Sequence, residues 1–398
     1  MADIEQPAPL HPATTALHGG VERTAYGETS EAVFLTSGYV YDSAEQAEQT
    51  FTGATTHYQY SRFANPTVTA FERRLAMIEG AEACRATATG MAAVHAALLS
   101  HLKTGDRLVA SRALFGSCHW IVSTLLPRYG IETEFVDGGD MAAWRAAFAR
   151  PAAMVLLESP SNPILDVLDI RAICDLAHAA GALVVFDNVF ASPVLQKPLT
   201  LGADIVVYSA TKHIDGQGRV LGGAVLGRKD WIEGTLQPFI RNTGPSLSPF
   251  NAWALLKGLE TMALRVEAMA RGAAAVADFL AGRPEVAFVR YPGRDDHPQR
   301  ALSRRQMDGG GTLLAFELRG GKPAAFALLN GLRLIAISNN LGDSRSLATH
   351  PATTTHFKIG AEERARLGIG DGAIRLSVGL EDARDLVADL AHALDGVA

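Results

Sequence analysis

The sequence predicts an α/β fold: a large domain on a mostly parallel sheet, followed by a smaller C-terminal α+β domain. Three observations carry this. Short Val/Leu/Ile-rich runs recur without polar alternation at "DRLVAS", "AAMVLLES", "GALVVFDN" and "ADIVVYSA", the pattern of strands buried on both faces. Helical stretches separate these runs, as in βαβ units. Beyond the long helical stretch "PFNAWALLKGLETMALRVEAMARGAAAVADFLAG" the texture changes, and "GTLLAFELRG" and "AIRLSVGLED" suggest a second unit.

Taken in order, residues 1–60 are rich in Gly, Thr and Tyr and weakly periodic, which predicts an extended arm packed on a neighbouring subunit. Residues 61–255 carry the large domain. Within it "TVTAFERRLAMIEG" reads as an amphipathic helix closed by Gly80, because glycine tolerates the left-handed conformation that ends helices. "MAAVHAALLSHL" reads as another, with Met91, Val94, Leu98 and Leu102 roughly on one face. Residues 256–398 form the expected smaller domain.

Composition narrows the function. The chain has 398 residues, 48% hydrophobic and 20% charged, with a formal net charge of -6 and no long basic run. That argues against a nucleic-acid or anionic-membrane surface as the main partner. Its three cysteines lie far apart without a CxxC, so neither a disulfide framework nor a zinc site is indicated, and His213, His350 and His356 match no zinc spacing. The opening lacks a basic segment followed by an apolar one, and no run is long enough to span a bilayer. A cytoplasmic protein without a signal peptide is expected.

Ligands in open parallel sheets collect at the carboxyl ends of the strands. "VLLESPSNP" ends in Glu158 and Asn162, "GALVVFDN" in Asp187 and Asn188, and "ADIVVYSATKH" in Ser209, Thr211 and Lys212. Thr89, Gly90 and Met91 open a helix, where free N–H groups and the helix dipole favour a phosphate. These parts suit pyridoxal 5'-phosphate. Lys212 would join its aldehyde, and Asp187 would keep its ring nitrogen protonated, which makes the ring an electron sink. Ser209 and Thr211 add hydroxyls for the phosphate, and Phe115 is placed to stack on the ring.

Read singly, each residue has a plainer explanation. A lone lysine is usually a surface charge, a lone aspartate usually a cap or turn residue, and Tyr60 and Arg62 belong to types common at interfaces. The ordered set is what overrides them. "YSRFANPT", "ATGMAAV", "LFGS", "ESPSNP", "FDNVF", "YSATKHIDGQGRVLGG" and "IRLSVGLED" resemble, in that order, the Cys/Met-metabolism branch of the fold-type-I pyridoxal-phosphate enzymes, which share an aspartate-aminotransferase-like fold.

The resemblance implies that Lys212 is the cofactor lysine and proton shuttle, and that Gly90, Met91, Ser209 and Thr211 cradle the phosphate. It implies that Tyr60 and Arg62 reach the phosphate from the neighbouring subunit, in a tetramer built as a dimer of dimers. Arg375 would grip the substrate carboxylate, with Asn162 and Ser338 as further contacts. Phe115 stands where the family commonly has a tyrosine, so acid/base work given to that hydroxyl does not transfer. Within the family, "KHIDGQGRVLGG" resembles the loop of O-succinylhomoserine sulfhydrylases. That implies γ-replacement of succinate by sulfide to give homocysteine. Cystathionine γ-synthase, cystathionine or methionine γ-lyase and O-acetylhomoserine sulfhydrylase are the alternatives. A cation should face the extra carboxylate of a succinyl group; Arg219 in the loop is the first candidate and Arg241 the second.

Overall fold

The computed structural model describes residues 10–397. Seven strands form the first sheet: β1 (Ala83–Thr87), β2 (Arg107–Ser111), β3 (Glu132–Val136), β4 (Met154–Glu158), β5 (Leu183–Asp187), β6 (Ile205–Ser209) and β7 (Gly223–Gly227). Their order is β1-β7-β6-β5-β4-β2-β3. From β3 to β6 every pairing is parallel, whereas β7 runs antiparallel to both β6 and β1. The fold is of the fold-type-I class, and each of the four apolar runs is one of its parallel strands.

Both faces of this sheet are covered, which is why the runs lack alternation. Leu108, Leu156, Val185 and Val207 point to one face, under the helix Gly90–Leu99 and the segment around Ile121. Val109, Val155, Val184 and Phe186 point to the other, against Trp144, Ile173 and Cys174. Each fully buried aliphatic side chain contributes about 1.5–3 kcal/mol relative to exposure, so the central strands are anchored from both sides.

Three strands of this sheet went unread in the sequence, each for a physical reason. β3 lies at the sheet edge, half covered, and β1 is a short Ala/Arg segment at the other edge. β7 looks like loop because glycines bound it, yet Gly223 is needed for close approach. A Cβ there would lie 2.2 Å from the Thr89 carbonyl oxygen and 2.5 Å from Thr87 Oγ1. The expected helix closed by Gly80 runs Pro66–Glu79, with Asn65 capping its start and Gly80 at φ 86° ending it. The long C-terminal helical stretch is two helices, Pro249–Glu260 and Met262–Ala281, parted at Thr261.

The second sheet holds β8 (Val286–Arg290), β9 (Leu313–Leu318), β10 (Ala336–Ile337), β11 (Leu347–Thr349) and β12 (Ala373–Ser377), in the order β10-β11-β12-β9-β8. Met262–Ala281, Gly321–Gly331 and Ala383–Asp395 supply the helices that close its core with Phe316, Leu376 and Leu386. Of the predicted arm, residues 1–9 lie outside the described residues. The remainder carries two short helices, Pro12–His18 and Ala44–Phe51, and holds Tyr26 and Val40 almost fully exposed. Among the described residues no helix is long and apolar enough to cross a membrane.

Candidate active site

The carboxyl ends of β4, β5 and β6 open on a cavity of about 230 Å³. Its wall includes Thr89, Gly90, Met91, Phe115, Asn162, Asp187, Ser209, Thr211, Lys212 and Arg375. Sequence positions nearly 290 residues apart are thus brought together. Parallel register sets Glu158 beside Asp187, and β12 brings Arg375 across from the second sheet.

Lys212 follows β6 on a turn whose carbonyls are fixed from behind. Arg265 donates to the carbonyls of His213, Ile214 and Gly258 at 2.8–3.3 Å. Gly216, at φ 65°, makes room for this guanidinium, since a Cβ there would sit 1.7 Å from Arg265 Nη1. The Lys212 amine donates to Asn340 Oδ1. Burial first, and then the positive charge of Arg375, bring its pKa down to about 8, so the neutral amine is accessible near physiological pH.

Asp187 accepts one hydrogen bond, from the Val189 N–H at 3.1 Å to Oδ1. Burial raises its pKa above the ordinary carboxylate range. Glu158 beside it is raised as well, by burial and then by the Asp187 charge. A protonated ring nitrogen is the kind of partner such a carboxylate lacks.

At the other end of the cavity, Thr89 Oγ1 caps the helix Gly90–Leu99 by accepting from Ala92 N–H at 3.0 Å. Among the described residues, that leaves the Gly90 and Met91 N–H groups as the free donors of the first turn. The helix start abuts β6 so closely that a Cβ on Gly90 would lie 2.5 Å from Ser209 Cβ. Free N–H groups, a helix dipole and the Ser209 hydroxyl suit a phosphate. Together with the lysine and the raised carboxylate, they fit pyridoxal phosphate. Thr211 lines the cavity too, although its hydroxyl is already bonded to the Gly222 N–H at 3.1 Å and lies 3.3 Å from the Gly222 carbonyl.

Arg375 is buried at 2% exposure, and among the described residues no carboxylate is bonded to it. Its Nη1 donates to Asn162 Oδ1 at 3.0 Å and its Nη2 to the Asn339 and Asn340 carbonyls at 2.8 and 3.2 Å. Its Nε has no partner among the described residues. Burial, opposed by Glu158, lowers its pKa to about 10, so it stays charged. An unpaired buried guanidinium is suited to a substrate carboxylate.

Other expected residues sit elsewhere. Ser338 does not line the cavity; its hydroxyl accepts from Asn340 N–H, and the neighbouring Asn339 and Leu341 face the cavity instead. Arg219 is also outside the wall. Its Nε donates to buried Asp215 at 2.9 Å and its Nη2 to the Asp215 and Ala254 carbonyls at 3.0 and 3.4 Å. The i,i+4 spacing of Asp215 and Arg219 was the available signal for that pair. Tyr60 and Arg62 lie away from this chain's own cavity, Arg62 over the Tyr60 ring at 5.4 Å and bonded to the Arg241 carbonyl. Arg241 stacks 3.8 Å from the Phe63 ring centroid. His213, His350 and His356 are buried and hydrogen-bonded within the protein. Sequence reasoning missed Asn340 altogether, because nothing in the chain announces a contact across 128 positions.

A doubly covered parallel sheet with lysine, carboxylate and helix start at its carboxyl edge defines a pyridoxal-phosphate enzyme. The chain belongs to the Cys/Met metabolism PLP-dependent enzyme family, whose model matches residues 13–395. It is 56% identical to an O-succinylhomoserine sulfhydrylase of Mycobacterium tuberculosis over 96% of this chain and 95% of the relative. It is 40% identical to an L-methionine gamma-lyase of Porphyromonas gingivalis, covering 97% of each. Among solved structures, a putative O-acetylhomoserine (thiol)-lyase from Campylobacter jejuni, containing N'-pyridoxyl-lysine-5'-monophosphate, superposes with a TM-score of 0.93. That pair is 32% identical over 97% of this chain and all of the other.

Proposed function

We propose that this protein replaces the γ-acyloxy group of O-succinylhomoserine with sulfide, yielding homocysteine and succinate. The observation that carries the reading is the convergence of Lys212, Asp187 and the carboxylate-free Arg375 on one cavity. The higher identity to a sulfhydrylase than to a γ-lyase supports the choice of reaction.

Bound in this cavity, pyridoxal 5'-phosphate supplies an electron sink for the charge left when an amino-acid carbon loses a proton. The chain's residues do the rest. The Gly90 and Met91 N–H groups and Ser209 hold the phosphate, and Phe115 covers the ring face. Arg375 pairs with the substrate α-carboxylate and fixes which bond faces Lys212. Lys212 Nζ, neutral above about pH 8, takes the proton from the substrate α-carbon and later returns one to the chain of the product. Loss of a second proton, from the β-carbon, lets the succinate leave; hydrosulfide adds at the γ-carbon, and one proton then returns to the β-carbon and one to the α-carbon.

The division into an arm (1–60), a cofactor domain (61–255) and a smaller domain (256–398) belongs to the same reading. So does a tetramer in which Tyr60 and Arg62 of one subunit reach the phosphate in the next. Tyr60 is 42% exposed and lies off its own cavity wall, which supports a use outside the chain. Three buried free cysteines fit a reducing cytoplasm.

The test is a product assay with O-succinyl- and O-acetylhomoserine, each offered sulfide and cysteine. Homocysteine from the succinyl ester and sulfide should dominate. Cystathionine as the main product, or 2-oxobutanoate made without a sulfur donor, would replace this reading with a synthase or a lyase.

A further inference from the structure

Glu158 lines the cavity and so far has no task. It ends β4 with 4% exposure, and its two oxygens serve two different loops. Oε2 accepts the Phe115 N–H at 2.7 Å, and Oε1 accepts the Asn162 N–H at 3.1 Å. The Asn162 side-chain oxygen in turn accepts from Arg375 Nη1 at 3.0 Å. Three hydrogen bonds therefore run without a gap from the aromatic wall, through one carboxylate, to the buried guanidinium.

A carboxylate is an expensive group to bury beside Asp187, since desolvation and like charge both act against it. A plain structural filler here would be apolar or an amide. What the carboxylate alone offers is two acceptor oxygens with no donor, matched to two N–H groups approaching from opposite loops. We propose that Glu158 is a positioning residue that sets both walls of the cavity together: Phe115 on the cofactor side and, through Asn162, the Arg375 guanidinium on the substrate side. The inference rests on the reading of the cavity given above. Turnover of the unmodified enzyme tests that reading independently.

Glu158→Gln keeps the volume and one acceptor, but turns an NH₂ donor toward the second backbone N–H, so one wall is released. In the holoenzyme of this variant, KM for the acylhomoserine should rise on the order of tenfold, with kcat changed much less, if the Asn162 side is released. If the Phe115 side is released, the visible circular dichroism of the bound cofactor should fall by about half or more, reflecting a ring held less firmly. Either result supports the proposal. Unchanged KM and unchanged dichroism in the folded variant overturn it. Should the variant not fold, amide hydrogen exchange in the unmodified holoenzyme decides. Phe115 and Asn162 amides protected like those of β4 support the clamp, and exchange at the rate of exposed loops overturns it.

Discussion

Replacing Gly90 by alanine tests how tightly the phosphate end of the cavity is built. No positive φ is involved; the reason for glycine is space. The added Cβ would lie 2.5 Å from Ser209 Cβ, 2.8 Å from Ser209 Cα and 2.9 Å from Ser209 Oγ. Carbon atoms rest at about 3.5–4.0 Å, so the start of the helix Gly90–Leu99 must withdraw from β6 by about 1 Å. Neither neighbour yields readily, because β6 is paired on both sides and the helix packs on the core beneath it. Overpacking of this kind costs about 1–3 kcal/mol of stability. The withdrawal also carries the Gly90 and Met91 N–H groups away from the phosphate. Losing the equivalent of one charge-assisted hydrogen bond, about 1.5–3 kcal/mol, weakens cofactor binding about 10- to 100-fold. Urea denaturation of the apoprotein reads the first effect, and spectrophotometric titration with pyridoxal phosphate reads the second. Gly90→Ala binding the cofactor with parental affinity would refute the assignment of this helix start to the phosphate.

Two further outcomes follow from the same geometry. Because burial and Arg375 lower the Lys212 pKa to about 8, its amine is mostly protonated below that pH and neutral above it. Uptake of pyridoxal phosphate by the apoprotein, followed by absorbance, should therefore accelerate with pH, with its midpoint at about 8; a flat profile from pH 6 to 9 would contradict this. Arg219→Ala should leave the preference for succinyl over acetyl substrate unchanged within about threefold, since Arg219 is bonded to Asp215 rather than facing the cavity. A tenfold or greater loss of preference in competing-substrate assays would return Arg219 to the substrate site.

What could be read from the sequence follows from where water is excluded. Strands β2, β4, β5 and β6 stand out because both faces are dry, so their apolar runs have no polar alternation to blur them. The chemistry is legible for the same reason: Glu158, Asp187 and Ser209 are the polar ends of apolar runs, and parallel topology places such ends along one edge. β3 and β1 are edge strands with mixed residues, and β7 opens on Gly223, where a Cβ would lie 2.2 Å from the Thr89 carbonyl oxygen, so neither periodicity nor propensity marks them. Side-chain partners across long separations are the other gap. Arg219 and Asp215 form a local pair that spacing could reveal, whereas Asn340 meets Lys212 only because the second sheet closes over the first.

The central claim is that Lys212 is the covalent anchor for the cofactor. Borohydride reduction of the holoenzyme, followed by proteolysis and mass spectrometry, tests it most directly. A pyridoxyl-phosphate mass on the peptide containing Lys212, with loss of the visible band, is the predicted result. Label on another lysine, or a colourless protein that takes up no cofactor, would contradict it.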